Sequence, residues 1–262
     1  MGRWSRVVAR SFVTWLDRPA GLRWLDVGCG TGVLSTVVSG AGRPRLVLGI
    51  DRSEAFVRTA AARAGADAPV RFLVGDAMAL PLRAASWDVA VSGLALNFLP
   101  DPAEAVAGMA RAVRPGGPVA AYVWDYAGDM GLLRRFWDAA VAVDPSAAPW
   151  DEGRRFPLCR PEPLRAVWAE AGLVGVEVTS IEAPTVFTGF ADLWEPFLAG
   201  QGPAPAYVAA LSPGHRNRLR DALEAAVPRA ADGTITLGAR AWAVRGHTPD
   251  RAHASGPRPP AR

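Results

Sequence analysis

The chain has 262 residues, half of them hydrophobic, so it can form one large α/β domain and is too apolar for global disorder. All 29 of its lysine-or-arginine positions are arginine, which excludes Schiff-base lysines and a P-loop lysine. Two cysteines exclude a disulfide framework, and no apolar run approaches the length of a membrane span. We therefore expect a cytoplasmic protein without a signal peptide, a membrane span or a metal ion.

Short apolar runs alternate with amphipathic stretches over the first half of the chain, as βαβ units require. Strands are predicted at Arg23–Val27, Arg45–Ile50, Val70–Val74, Trp87–Ser92 and Val119–Trp124. Helices are predicted at Val7–Leu16, Thr31–Ser39, Ser53–Ala64 and Asp101–Val113. The strands are almost continuously apolar, which is typical of parallel strands covered on both faces.

The second half of the chain is less regular. Helices are predicted at Gly131–Val143 and Arg160–Ala171, followed by strands at Val174–Ile181 and Thr234–Val244. Three helical pieces separate these two strands, at Phe190–Ala199, Ala204–Leu211 and His215–Ala226. We interpret residues 184–231 as a helical lid inserted into a single domain of residues 1–247. The Pro-, Ala- and Arg-rich residues 248–262 are expected to form a disordered tail.

These elements predict a Rossmann-like α/β fold. Its core is a doubly wound, seven-stranded, mostly parallel sheet with a helical insertion before the last strand. Ligands of such sheets bind beyond the carboxyl ends of the strands, near the point where the strand order reverses. Asp26, Asp51 and Asp76 each follow or end one of the first three strands. We therefore predict one ligand site that contains all three acids.

A glycine-rich turn joins the first strand to the helix behind it. Gly28, Gly30 and Gly32 allow the backbone to approach a ligand closely, and the helix start offers N–H groups to an anion. Asp26, at the end of the strand, would repel a phosphate and attract an ammonium group. The turn therefore favours a zwitterionic ligand over a pyrophosphate.

Several motifs, taken in chain order, resemble those of class I S-adenosylmethionine-dependent methyltransferases. The resemblance is greatest to the small-molecule group that includes ubiquinone- and menaquinone-type members. The resemblance covers residues 22–125. It is carried by Asp26–Gly32, Gly49–Asp51, Gly75–Ala77 with Leu80-Pro81, Trp87–Val89, Ser92–Phe98 and Arg114–Gly117.

The resemblance implies S-adenosylmethionine as methyl donor and S-adenosylhomocysteine as product. Asp26 would accept from the ammonium group, Asp51 from the ribose hydroxyls and Asp76 from the adenine amino group. The full set of implied cofactor-binding residues is Asp26, Gly28, Cys29, Gly30, Thr31, Gly32, Asp51, Arg52, Asp76, Ala77, Met78 and Leu94.

The catalytic residues are less determined than the cofactor site. Holding an acceptor in line with the methyl group supplies much of the rate, and only some acceptors need a base. The candidates are Asn97, by resemblance, Asp125 and Tyr126 beyond the fifth strand, and His215 in the insertion. The sequence thus leaves the catalytic residue, the methyl acceptor and the oligomeric state open.

The sequence leaves three other functions open. Gly28, Gly30 and Asp51 mimic the fingerprint of an NAD(P)-dependent oxidoreductase, but Val33 replaces its third glycine. A nucleic-acid methyltransferase would use the arginines, yet the chain has no Asn/Asp-Pro-Pro-Tyr/Phe segment and no Pro-Cys nucleophile. A non-catalytic S-adenosylmethionine-binding protein or an aminopropyl-transferring relative would retain the three acids. We expect a small-molecule methyltransferase and no nucleic-acid partner.

Overall fold

The computed structural model describes residues 2–65, 68–199 and 202–250. Its α-helices are α1 (Gly2–Leu16), α2 (Val33–Ala41), α3 (Glu54–Arg63), α4 (Pro102–Ala112), α5 (Gly131–Val143), α6 (Glu152–Arg155), α7 (Pro161–Glu170), α8 (Phe190–Ala199), α9 (Pro203–Ala210) and α10 (Pro213–Ala226). Its strands are β1 (Arg23–Val27), β2 (Leu46–Asp51), β3 (Val70–Val74), β4 (Val89–Gly93), β5 (Pro118–Trp124), β6 (Val174–Glu182), β7 (Thr185–Phe187), β8 (Ile235–Leu237) and β9 (Arg240–His247). Short 3₁₀ turns occupy Leu96–Phe98 and Pro145–Trp150.

The main sheet has seven strands in the order β3-β2-β1-β4-β5-β9-β6. The pairs β1–β2, β2–β3, β1–β4 and β4–β5 are parallel. The chain moves outward from β1 to β3 and then returns to β4 on the other side of β1, so the order reverses between β1 and β4. Because such crossovers are right-handed, the helices of the two halves cover opposite faces. The doubly wound α/β prediction is confirmed.

Local sequence explains where the helices of this sheet begin. Ser53 caps α3 by accepting from the Phe56 N–H, and Asp101 caps α4 by accepting from the Glu104 N–H, with Pro102 in the first turn. β5 is buried at all seven residues, as a strand covered on both faces must be. These capped helices and apolar strands hold the carboxyl ends of β1, β2 and β4 in a fixed register.

Two compact units divide the chain. The sheet unit comprises Ser5–Val123, Pro161–Thr179 and the chain from Trp242 onward. Its core includes Phe12, whose ring centroid lies 4.8 Å from that of Tyr122, and Trp168, whose indole N–H donates to the Val119 carbonyl. No helix within the described ranges is long and apolar enough to cross a membrane.

The helical unit comprises the chain up to Trp4, Trp124–Arg160 and Ser180–Ala241. The predicted insertion therefore joins with α5 and α6, which precede it in the chain, rather than packing alone. Phe136 of α5 stacks on Phe197 of α8 with ring centroids 4.3 Å apart. The buried carboxylate of Glu152 accepts from the Trp137 indole and from the Ala204 N–H, and so links α6 to α5 and α9.

Three differences between the predicted elements and the structure have a local physical reason. The last strand, predicted as one piece at Thr234–Val244, is split into β8 and β9. It breaks at Gly238, where a Cβ would lie 2.8 Å from the Asp129 carboxylate. β8 pairs antiparallel with β7, which sequence periodicity missed because β7 has only three residues. Finally, α2 begins at Val33 and not at Thr31 because Gly30 and Gly32 have left-handed backbones.

The predicted boundary between domain and tail is also displaced. Thr248 is only 7% exposed. Its hydroxyl donates to the Arg114 carbonyl at 2.6 Å, and its N–H donates to the Gly117 carbonyl at 3.0 Å. The packed chain therefore extends past residue 247 to Thr248. Residues 251–262 of the predicted tail lie outside the described residues.

The contact of Thr248 gives a stability prediction. Thr248→Val keeps the shape of the side chain but leaves the Arg114 carbonyl without its hydroxyl donor. We expect the free energy of unfolding to fall by about 1–2 kcal/mol in urea titrations. Thr59→Val is the matched control, because the Thr59 hydroxyl donates only to the exposed Ala55 carbonyl within α3. Equal losses in the two variants would contradict the docking of Thr248.

Candidate cofactor site

The turn between β1 and α2 is held by its own amides. The N–H groups of Gly28 and Cys29 both donate to the Ile50 carbonyl, at 2.8 and 3.0 Å. Gly30 donates to Asp51 Oδ2 at 2.9 Å, and Gly32 donates to the Cys29 carbonyl. These four N–H groups are therefore used inside the protein. They are not free to cradle a pyrophosphate.

Gly28 is the most tightly packed glycine of this turn. Its φ is +72°, and a Cβ would lie 2.5 Å from the Ala95 Cβ. This close approach brings the end of β1 against the segment that follows β4. At Gly30, φ is +52° and a Cβ would meet nothing within 4 Å. The turn is thus packed tightly at Gly28 and open at Gly30, where a ligand has room.

Asp26 lies at the end of β1 and is completely buried. Its Oδ2 accepts from the Ser35 hydroxyl at 2.6 Å, whereas its Oδ1 is buried without a partner among the described residues. Burial raises the pKa of Asp26 to about 7, and the charge of Asp51 raises it further, against the lowering effect of Ser35. An unpaired buried carboxylate oxygen is costly unless a ligand supplies a donor.

Asp51 and Asp76 follow at the ends of β2 and β3. The Asp51 carboxylate accepts from the N–H groups of Gly30 and Ser53, so it fixes the glycine turn to β2. Asp76 is exposed, and its Oδ1 accepts from the Met78 N–H at 2.9 Å. Its Oδ2 has no partner within the described ranges. Each acid therefore retains acceptor capacity for a ligand on the same edge of the sheet.

A second group of unpaired polar atoms follows β4. Ser92 Oγ and both amide atoms of Asn97 are buried without partners in the described part of the chain. Between them, Leu94 has a left-handed backbone (φ +59°), held by donation of its N–H to the Tyr122 carbonyl. A left-handed leucine costs about 1–2 kcal/mol. Strain and unsatisfied polar atoms at one place are typical of a functional site.

The remaining predicted cofactor residues lie in the same sheet unit. Cys29, Gly32 and Ala77 are buried, Thr31 and Met78 are half-buried, and Arg52 is exposed. Their roles in cofactor binding stay predictions. Among the described residues, no group of three His, Cys, Asp or Glu side chains could hold a metal ion.

The four catalytic candidates do not lie together in one unit. Asn97 belongs to the sheet unit, whereas Asp125, Tyr126 and His215 belong to the helical unit. Asp125 forms an ion pair with Arg240 at 2.7 Å and also accepts from the N–H groups of Gly128 and Asp129. His215 Nδ1 lies 3.2 Å from the Ser212 hydroxyl in the first turn of α10. Asn97 is the candidate whose side chain is buried and unpaired.

The fold and these residues fit S-adenosylmethionine. Its ammonium group would supply the donor that Asp26 Oδ1 lacks, and its ribose hydroxyls and adenine amino group match acceptors at Asp51 and Asp76. Residues 25–121 match a sequence family described as a methyltransferase domain. Over these residues the chain is thus a methyltransferase domain, and its sheet has the Rossmann-like fold of structurally similar methyltransferases.

Known relatives are consistent with this class. The chain is 40% identical over 106 residues to an uncharacterized 37.1 kDa protein in a transposon of Streptomyces fradiae, which covers 39% of this chain and 30% of that protein. It is 29% identical over 171 residues to demethylmenaquinone methyltransferase of Staphylococcus aureus, which covers 61% of this chain and 71% of the relative.

A similar fold is found in phosphoethanolamine N-methyltransferase 2 of Haemonchus contortus, solved with phosphomonomethylethanolamine and S-adenosylhomocysteine. The TM-score is 0.59 at 17% identity, and the match covers 92% of this chain and 52% of that one. At this identity the likeness concerns the fold.

The contact between Gly28 and Ala95 can be tested by substitution. Gly28→Ala adds a left-handed alanine, which costs about 1–2 kcal/mol, and an overlap with Ala95, which costs about 1–3 kcal/mol more. Gly21→Ala is the matched control, because Gly21 has φ +83° and open space around its Cβ. In urea titrations we expect Gly28→Ala to lose more free energy of unfolding than Gly21→Ala. The double variant Gly28→Ala/Ala95→Gly should recover part of that loss. Equal losses at Gly21 and Gly28 would contradict the close approach.

Asp26 makes the stability of the ligand-free protein depend on pH. Its folded pKa of about 7 lies above the ordinary 3.8, so the folded state binds the proton more tightly than the unfolded state. The stabilisation that Asp26 contributes is fully present below pH 4 and is lost as the pH rises to about 7. Asp26→Asn removes that loss. Between pH 5 and pH 8, the free energy of unfolding of the wild type should therefore fall by about 2–3 kcal/mol more than that of the variant.

Denaturant titrations at the two pH values measure this difference. Asp17→Asn is the control, because Asp17 is exposed and lies outside the buried site. An Asp26→Asn protein with the pH dependence of the wild type would show that Asp26 is ionised at low pH in the folded state.

Proposed function

We propose that this chain transfers the methyl group of S-adenosylmethionine to a small-molecule acceptor. The observation that carries the proposal is the buried, half-paired carboxylate of Asp26 at the switch between β1 and β4. When bound, S-adenosylmethionine would supply an electrophilic methyl group on a sulfonium, which would leave as the neutral thioether of S-adenosylhomocysteine. The protein's own residues hold the donor, orient the acceptor and exclude water.

The same geometry argues against a dinucleotide oxidoreductase. A dinucleotide needs free amides for its pyrophosphate, whereas Gly28, Cys29, Gly30 and Gly32 all donate within the protein. Asp26 adds a carboxylate where the phosphates would lie. Both features favour a ligand with an ammonium group over one with a pyrophosphate.

Asn97 is the residue we propose to orient the acceptor. Its buried amide offers one unpaired acceptor and two unpaired donors, so it can bind a hydroxyl or amine group in a defined orientation. An amide cannot serve as a general base near neutral pH. The proposed role is therefore positioning, which suits methyl transfer because alignment supplies much of the rate.

A small molecule is the acceptor class that the remaining observations support. The relatives named above include a demethylmenaquinone methyltransferase, and the similar structure holds phosphomonomethylethanolamine.

Calorimetry tests the cofactor assignment. S-adenosylhomocysteine should bind and NADH should not. Asp51→Ala should weaken S-adenosylhomocysteine binding by about 1–3 kcal/mol through the loss of charged hydrogen bonds. Glu54→Ala removes an exposed carboxylate three residues away and should leave the affinity unchanged. NADH binding without S-adenosylhomocysteine binding would overturn the proposal.

Turnover is tested separately. Release of S-adenosylhomocysteine is measured with the full chain and a panel of small hydroxyl, amine and quinol acceptors. A positive acceptor should lose at least about tenfold in rate with Asn97→Leu, while the affinity for S-adenosylhomocysteine changes less than about twofold. Cofactor binding without turnover of any acceptor would favour the non-catalytic alternative.

A further inference from the structure

The hydroxyl of Ser35 fixes one oxygen of Asp26 and leaves the other open. Ser35 is the third residue of α2, and both side chains are completely buried. Ser35 Oγ donates to Asp26 Oδ2 at 2.6 Å, while Oδ1 has no partner within the described residues. Rotation of the carboxylate would break this short bond. The open oxygen is therefore held in one direction.

The charge of Asp26 is not compensated by the groups that face it in the described structure. From β2, Asp51 faces it with a second negative charge. From the turn, burial keeps the Cys29 thiol neutral, and from β5, burial keeps the Tyr122 hydroxyl neutral, since it raises the pKa of each well above its ordinary value. From α2, the hydroxyl and the backbone of Ser35 are neutral, and hydrogen bonding by both lowers the pKa of Asp26. An incoming ammonium group would be the first cation to meet this carboxylate.

We propose that Ser35 is a positioning residue that aims the open oxygen of Asp26 at the ammonium group of the cofactor, and that cofactor binding expels a proton from Asp26. This inference rests on the proposed function, because it requires a ligand with an ammonium group at this site. On binding, one proton leaves the carboxyl group of Asp26 for solvent, and the cofactor's N–H donates to the resulting carboxylate.

The direction of the pH effect follows from burial. Burial raises the pKa of Asp26 to about 7, so the free site is protonated below neutral pH. The ammonium group binds the ionised form, so each pH unit below 7 should weaken binding about tenfold. Ser35 stabilises the ionised form, because its hydroxyl lowers the pKa of Asp26. Without that hydroxyl the whole profile should move to higher pH.

Calorimetry of the wild-type chain with S-adenosylhomocysteine tests the proton release. Titrations between pH 5.5 and pH 7.5, in two buffers with different ionisation heats, count the protons released. We expect about one proton at pH 5.5 and about half a proton at pH 7, since half of the sites are then ionised. Methylthioadenosine is the control ligand, because it lacks the ammonium group and should bind without proton release.

Substitution of Ser35 tests the positioning role of this residue. Ser35→Ala should weaken S-adenosylhomocysteine binding about tenfold at pH 6.5 and move the midpoint of the affinity profile up by about one pH unit. Ser39→Ala is the matched control, one turn further along α2. A purely structural role of Ser35 would weaken binding equally at every pH and leave the midpoint in place.

The outcomes separate the inference from the proposed function. Absence of S-adenosylhomocysteine binding at any pH would overturn both. Binding with an affinity independent of pH and without proton release would overturn the inference alone and leave the cofactor assignment intact. An unchanged profile in Ser35→Ala would overturn the role of Ser35. If Ser35→Ala does not fold, the proton count of the wild type still decides whether cofactor binding releases a proton.

Discussion

The burial of Asp26 at the end of β1 is the constraint on which the site depends. The carboxylate lies where the strand order reverses, and one of its oxygens lacks a partner in the described structure. A fold keeps such a group only at a cost, because burial removes the carboxylate from bulk solvent. That cost is offset when a ligand brings a donor to the open oxygen. In the proposed function, the ionised carboxylate of Asp26 would thus lower the stability of the free protein and raise its affinity for the cofactor.

The glycine turn explains why this ligand is not a dinucleotide. Its amides donate to Ile50, to Asp51 and to the turn itself, so the turn is rigid without a ligand. The contact of Gly28 with Ala95 joins it to the segment after β4, which contains the strained Leu94 and the unpaired Asn97. In the proposed function, donor binding and acceptor orientation would therefore share one packed structure. By contrast, the Asp125 carboxylate is committed to Arg240 and to two backbone N–H groups, which suits a structural role.

Much of the sheet unit could be predicted from the sequence because its signals are local. Apolar runs, caps such as Ser53 and Asp101, and the glycine turn each depend on neighbours in the chain. The helical unit was less predictable. Its short strands β7 and β8 pair across about fifty residues, and the break at Gly238 depends on the distant Asp129 carboxylate. Periodicity within one segment carries no signal for such contacts.

The sequence by itself determined the class of the site: the order of the motifs, the three acids at strand ends and the absence of a third dinucleotide glycine. Those features are residue types at fixed spacing, which chain connectivity preserves. Only the tertiary structure decided which polar atoms are left without partners. The burial of Asp26, its bond to Ser35 on the next helix and the isolation of Asn97 depend on how distant segments pack, because a side chain is satisfied or unsatisfied only by what surrounds it in space.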